Sequence, residues 1–282
     1  MFCNQQVAGS SPIASLNIFK WLYLLMPYQL NSTEPILNRH SFFEIHTTLG
    51  NLSMRIHYIQ HGVFDELGAI EIWAKKHGHH LTCTKIFQLE ALPEITAFDF
   101  LVILGGTQSL REEKHPEYIY HELDFIKRAI DNDKMILGIC LGAQMIAESL
   151  GAKTQMSPYP EIGIFPVMLA SAGKDDPVLK SLSPVCNVMH MHYDMPGQLE
   201  GARILASSQG CPLQAFALGS KIYGIQFHLE MTNENIRLRL AHLTEEFEIG
   251  PYVATRDKLR AVDMEPINKK MFDLLDVIST KI

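Results

Sequence analysis

Three features of the sequence predict an α/β protein built on an open, mostly parallel sheet with helices on both faces. From Met54 onward, short apolar runs alternate with segments of helical periodicity. The run 100–104 is apolar throughout, as a strand buried on both faces of a parallel sheet should be. Glycines stand where strands exit or helices stop, at Gly78, Gly105, Gly106 and Gly151.

The elements follow in order. Residues 54–60 alternate as a first strand, and 66–78 form a helix with Leu67, Ile70, Trp73 and Ala74 on one face. Residues 81–86 are a second strand, and 100–104 a third. A helix over 118–132 sets Leu123, Ile126 and Ile130 on one side. Residues 134–139 are a fourth strand, running directly into a helix at 141–150. From Ile162 the pattern becomes strand-rich, with strands at 164–169, 185–190, 202–207, 214–218 and 221–226. Helices close the chain at 234–247 and 269–278. No internal repeat occurs, and no linker is long enough to split the core. The expected division is a main domain over 54–250 and a C-terminal tail, 251–282, with a packed helix.

Composition narrows the function classes. Of 282 residues, 47% are apolar and 20% charged, a globular balance that excludes wholesale disorder. Lys and Arg number 24 against 31 Asp and Glu, so the net charge of −7 gives no basic footprint for nucleic acid. No run of about 18 uncharged apolar residues is present, so no membrane span is expected. The cysteines, Cys3, Cys83, Cys140, Cys186 and Cys211, are odd in number and widely spaced, with no C-x-x-C pair. That argues against a disulfide scaffold or structural zinc and for a reducing cytoplasm.

Residues 1–53 differ from the rest. The stretch 17–30 is apolar and aromatic, yet Lys20 interrupts it and neither a cationic lead nor a clean cleavage site flanks it. The reading is a poorly ordered extension, or an upstream translation ahead of a native start at Met54. An intact mass beginning at Met1 would refute the second idea.

The chemistry centres on Gly138-x-Cys140-x-Gly142, set between an apolar strand and a helix. This is the cysteine form of the G-x-S-x-G nucleophile elbow. The turn is tight, so glycines at both flanks avoid collision with neighbouring strands. The helix N-terminus beneath the thiol favours its thiolate. A thiolate nucleophile needs a base, and the base needs an orienter. His228 and Glu230 follow the 221–226 strand two residues apart, on one face of an extended segment. The order Cys140, His228, Glu230 argues against an α/β-hydrolase, where the acid precedes the histidine.

These residues resemble the class I glutamine amidotransferases of the Cys-His-Glu type. The resemblance rests on G-I-C-L-G-A-Q at 138–144, L-G-G-T-Q-S at 104–109 and Y-G-I-Q-F-H-L-E at 223–230. It covers about Met54 to Glu248 and is greatest to stand-alone members similar to the amidotransferase domain of GMP synthase. E-I-G at 161–163, A-S-S at 206–208 and C-P-L-Q-A-F at 211–216 share that character. The resemblance implies a flavodoxin-like sheet. Cys140 would attack the side-chain amide of glutamine, forming a thioester and releasing ammonia. His228 would move the protons, and Glu230 would orient it. Backbone N–H groups of Gly106 and Leu141 would hold the oxyanion, with Gly105 and Gln144 beside the substrate. His192 and Asp194, in H-M-H-Y-D at 190–194, would meet its amino-acid head; Met191 and Tyr193 depart from the family pattern there.

No GxGxxG, P-loop or EF-hand pattern appears, so no cofactor or metal is expected. His77, His79 and His80 read as a solvated helix end, and Arg111–Lys114 as a solvated face. Too little chain follows Glu230 for a second active site, so the ammonia acceptor would lie on a synthase partner or be absent. Three readings stay open: a glutaminase-type amidotransferase, a γ-glutamyl peptidase on the same scaffold, and a non-catalytic regulatory member.

Overall fold

The computed structural model describes residues 53–182, 184–243 and 247–282. Residues 1–52 of the expected extension, with the start-site question and Cys3, lie outside the described residues.

The first half of the chain builds parallel pairs. Its strands are β1 (Arg55–Gln60), β2 (His80–Lys85), β3 (Phe100–Ile103) and β4 (Met135–Ile139). β1 lies between β2 and β3, and β3 pairs with β4, all in parallel. Every residue of β3 and β4 is buried, which accounts for their unbroken apolar character. The helices of this half are α1 (Ala69–Lys76), α2 (Glu117–Asp131) and α3 (Leu141–Ser149). Successive residues of β3 serve opposite cores: Phe100 and Val102 join Trp73 of α1, while Leu101 and Ile103 join Phe125 and Ile126 of α2.

The second half adds antiparallel strands. These are β5 (Gln155–Leu169), β6 (Val185–Met195), β7 (Arg203–Ser207), β8 (Ala215–Leu218) and β9 (Ile222–Ile225), with the short helix α4 (Ser171–Asp175) between β5 and β6. The nine strands form one open sheet in the order β2-β1-β3-β4-β9-β8-β7-β5-β6. β9 is the seam, parallel to β4 and antiparallel to β8. The remaining pairs, β7 with β8, β5 with β7 and β5 with β6, are antiparallel.

Several boundaries differ from expectation. β5 begins well before Ile164, and its pairing with β6 shifts register between Met156 and Glu161. Pro158 and Pro160 fall inside that shift; proline cannot donate to the ladder, so the alternation is broken there. β6 runs to Met195, placing His192 and Asp194 on a strand rather than on a loop. α5 (Asn233–His242) stops short of 247, and residues 244–246 lie outside the described set. Thr232 caps it by accepting from the Asn235 amide. α6 (Arg256–Arg260) has no counterpart among the expected elements, and α7 (Glu265–Ser279) starts before 269, with proline in its first turn. α7 buries Ile267, Met271, Leu274, Leu275 and Ile278, and its Asp276 accepts a 2.6 Å hydrogen bond from Trp73 Nε1 on α1. The histidines after α1 are not simply solvated, since His77 and His79 pack against the Trp73 ring.

Candidate active site

Cys140 sits between the last residue of β4 and the first of α3 with φ 53° and ψ −108°, outside the regions open to ordinary L-residues. Neighbouring backbone holds it there. Its amide donates to the Ile225 carbonyl of β9 at 2.8 Å. A Cβ on Gly142 would lie 2.1 Å from the Ile103 carbonyl oxygen, and one on Gly138 would lie 2.5 Å from the Gly142 oxygen. Both flanking glycines are therefore required by close approach, in keeping with the motif.

β9 runs beside β4, so the segment after β9 reaches the elbow. The His228 amide donates to the Met189 carbonyl of β6 at 2.7 Å, and the Ala69 amide at the start of α1 donates to the Glu230 carbonyl at 2.8 Å. These anchors set His228 Nδ1 2.5 Å from Glu230 Oε1 in a buried pair. The other side of the ring hydrogen-bonds Cys140. Burial alone would lower the His228 pKa. The Glu230 carboxylate and the Cys140 sulfur outweigh it and raise His228 to about 10. The arrangement is an acid–base pair touching a sulfur nucleophile, competent for acyl transfer.

The strand exit Gly105-Gly106 faces the same point. A Cβ on Gly105 would lie 3.3 Å from His228 Cε1 and 3.5 Å from Cys140 Cβ. Among the described residues, neither the Gly106 nor the Leu141 amide donates to another protein group. Gln144 is buried and donates to Gln226 Oε1 at 3.2 Å; Gln226 Nε2 in turn donates to Cys140 Sγ at 3.4 Å. Gln226 belongs to the histidine motif, yet sequence reasoning assigns it no role. Its place two residues before His228 is the available signal.

His192 and Asp194 both border the cleft, but their side chains have different partners. Asp194 accepts from Ser109 Oγ at 2.7 Å and Arg111 Nε at 2.6 Å. Arg111 is therefore not part of a purely solvated face, as its local sequence suggests. Its carboxylate partner is 83 residues away in sequence, beyond any local pattern. His192 Nε2 instead lies 3.3 Å from Glu161 Oε2. The ligand atoms of Glu161, His190 and His192 lie within 4.8 Å of one another, close enough to converge on one cation. The amide nitrogen of Gln214 already sits among them, 2.5 Å from Glu161 Oε2 and 3.3 Å from His192 Nε2.

In front of Cys140 lies an open cleft of about 600 Å³. Its polar wall includes Gln108, Ser109, Arg111, Gln144 and Asp194, and its apolar wall Phe64, Ile162, Met191, Tyr193, Leu243 and Phe247. No helix among the described residues is long and apolar enough to cross a membrane.

Comparison with known proteins agrees with this geometry. Residues 65–243 match the family model for glutamine amidotransferase class-I. The chain is 35% identical over 233 residues to a glutamine amidotransferase-like protein, YfeJ, of Salmonella typhimurium, an alignment covering 80% of this chain and 98% of that one. It is 33% identical over 148 residues to the amidotransferase-type chain of the glutamine-hydrolyzing GMP synthase of Sulfolobus acidocaldarius, covering 50% of this chain and 72% of the relative. Among solved structures, SMU.1228c superposes with a TM-score of 0.76 at 36% identity, over 80% of this chain and 99% of that one. A Thermotoga maritima glutamine amidotransferase shares the fold, with a TM-score of 0.70 at 24% identity over 80% and 98% of the two chains. On the family match and the near full-length likeness to YfeJ, the chain belongs to the class I glutamine amidotransferases.

Proposed function

We propose that the protein hydrolyses the γ-glutamyl C–N bond of glutamine through a Cys140 thioester. The observation that carries this reading is the strained Cys140 elbow in contact with the buried His228–Glu230 pair. The thiolate adds to the amide carbon, and the oxyanion that forms accepts from the Gly106 and Leu141 amides. The C–N bond breaks as His228 gives its proton to the leaving nitrogen, releasing ammonia. Water then attacks the thioester, His228 takes back a proton, and glutamate leaves with the thiol restored. Gln226 supports the sulfur, and Gln144 lies beside the substrate. Asp194, held by Arg111 and Ser109, receives the α-ammonium group. His192 borders the cleft as part of the Glu161 cluster. The relatives named as parts of a glutamine-hydrolyzing GMP synthase favour a separate synthase chain as acceptor of the ammonia. Cys83, Cys140, Cys186 and Cys211 are free thiols, which suits a reducing compartment.

A second reading, a γ-glutamyl peptidase, is favoured by the cleft. A volume of about 600 Å³ with one apolar wall suits a ligand larger than glutamine. The test is product analysis by mass spectrometry with glutamine, a panel of γ-glutamyl peptides and a Cys140→Ser control. Ammonia and glutamate from glutamine support the first reading. Preferential peptide cleavage supports the second. No turnover of either, alone or with a synthase partner, would favour the regulatory reading and sink both.

Proton transfer gives a pH expectation. His228 must be protonated to expel the amine, and its pKa is raised to about 10, so turnover should persist until pH approaches 10 and fall above it. The raised value also contributes stability that is complete below about 6.5 and is lost as pH rises through about 10. Glu230→Gln removes the charge that raises it. The alkaline limb of kcat should move toward neutral pH and kcat should fall by ~10²-fold. A pH–rate profile checks both, and an unmoved limb contradicts the orienter role. Asp194→Asn should raise KM for glutamine by about tenfold with kcat within about threefold, as for a group that binds the ground and transition states alike. Steady-state kinetics decide this, and a kcat effect with unchanged KM would remove Asp194 from the substrate site.

A further inference from the structure

We propose that the buried His61–Glu122 pair is a positioning device that turns the Gly105–Gly106 peptide so that its N–H faces the acyl centre at Cys140. The inference rests on the proposed role of Cys140 as nucleophile and of the Gly106 amide as oxyanion donor.

His61 directly follows β1, and Glu122 lies on the buried side of α2; both side chains are fully excluded from solvent. Each ring nitrogen faces an acceptor. Nδ1 is 3.2 Å from the Gly105 carbonyl oxygen and Nε2 is 2.9 Å from Glu122 Oε1. A backbone carbonyl can only accept, so Nδ1 carries the hydrogen. Nε2 then either donates to a carboxylate or accepts from a carboxylic acid, and both arrangements keep the Nδ1–H bond to Gly105. Burial alone would lower the His61 pKa, but Glu122 outweighs it and raises it, which favours the doubly protonated ring.

The consequence for the neighbouring amide is geometric. The Gly105 carbonyl and the Gly106 N–H belong to one trans peptide plane and point in opposite directions. Drawing the carbonyl toward His61 therefore aims the N–H away from it. Gly105 lies directly against Cys140 and His228, as the 3.3 and 3.5 Å approaches to them show. The turn has no slack on the His61 side. A Cβ on Gly106 would lie 2.8 Å from His61 Cβ and 2.6 Å from Leu141 Cδ2. Gln108 Nε2 closes the loop by donating to the His61 carbonyl at 3.0 Å. Stability alone gives little reason for this pair, because a buried ion pair gains little over well-packed apolar side chains of similar volume. Orientation of a peptide dipole is something apolar side chains cannot supply.

The test compares His61→Leu, which removes the donor, with His61→Asn, whose amide nitrogen can occupy the Nδ1 position. Crystal structures of both variants read the peptide directly and need no activity. The Gly105 carbonyl should turn away from its native direction in His61→Leu and keep it in His61→Asn. In kinetics, His61→Leu should lower kcat for γ-glutamyl hydrolysis by ~10²-fold with KM within about threefold, and His61→Asn should recover about tenfold of that loss. Alkylation of Cys140 by iodoacetamide, which builds no oxyanion, should change by less than about threefold in either variant. An unchanged peptide in His61→Leu overturns the proposal, as does a parallel fall of alkylation and turnover, which would show general damage to the site. If the wild-type protein hydrolyses neither glutamine nor γ-glutamyl peptides, the proposed function fails while the crystallographic comparison still decides the positioning role.

Discussion

Replacing Cys140 by serine is expected to lower γ-glutamyl C–N hydrolysis by at least ~10⁴-fold, with the fold and ligand binding retained. The two side chains are close in size, so the elbow and its glycine contacts stay in place. The chemistry does not. A hydroxyl is far less acidic than a thiol, and His228 is held in its protonated state by Glu230. A protonated imidazole can stabilise a thiolate but cannot remove a proton from serine. Ammonia release measures the loss, and calorimetric titration with glutamine measures binding, which should stay within about threefold. Turnover surviving the substitution would place the nucleophile elsewhere.

Gly142→Ala is expected to destabilise the protein by about 3 kcal/mol and to remove most of the activity of what remains folded. The added methyl would lie 2.1 Å from the Ile103 carbonyl oxygen at the end of β3. That oxygen belongs to the backbone of a buried strand, so no side-chain rotation relieves the contact. Either α3 moves away from the sheet or β3 shifts against β4. Both movements displace Cys140 relative to His228. Denaturant unfolding of the variant gives the stability change, and a loss below about 1 kcal/mol would show that the elbow is looser than its contacts require.

The parallel half of the fold is legible in the sequence because its signal is local. β3 and β4 are buried from end to end, and their apolar runs need no knowledge of their neighbours. β5 is legible only in part, because Pro158 and Pro160 interrupt its pairing and no sequence rule says that a bulged strand resumes. α7 reads too short for a related reason. Pro266 suggests a break, yet in a first turn its missing N–H costs nothing. The site divides in the same way. Cys140 and the His228–Glu230 pair lie inside short motifs whose spacing carries the geometry. Gln226 reaches Cys140 across 86 residues, Arg111 reaches Asp194 across 83, and His61 reaches Glu122 across 61. Such contacts depend on sheet order, and no periodicity encodes them.

β9 returns to lie beside β4 only after the antiparallel strands have been laid down between them. During synthesis, Cys140 therefore leaves the ribosome several seconds before His228, at about 5–20 residues per second. Through that interval the thiol has neither base nor orienting carboxylate beside it. The newborn chain carries a chemically quiet cysteine, and its reactivity switches on with the arrival of the last strand.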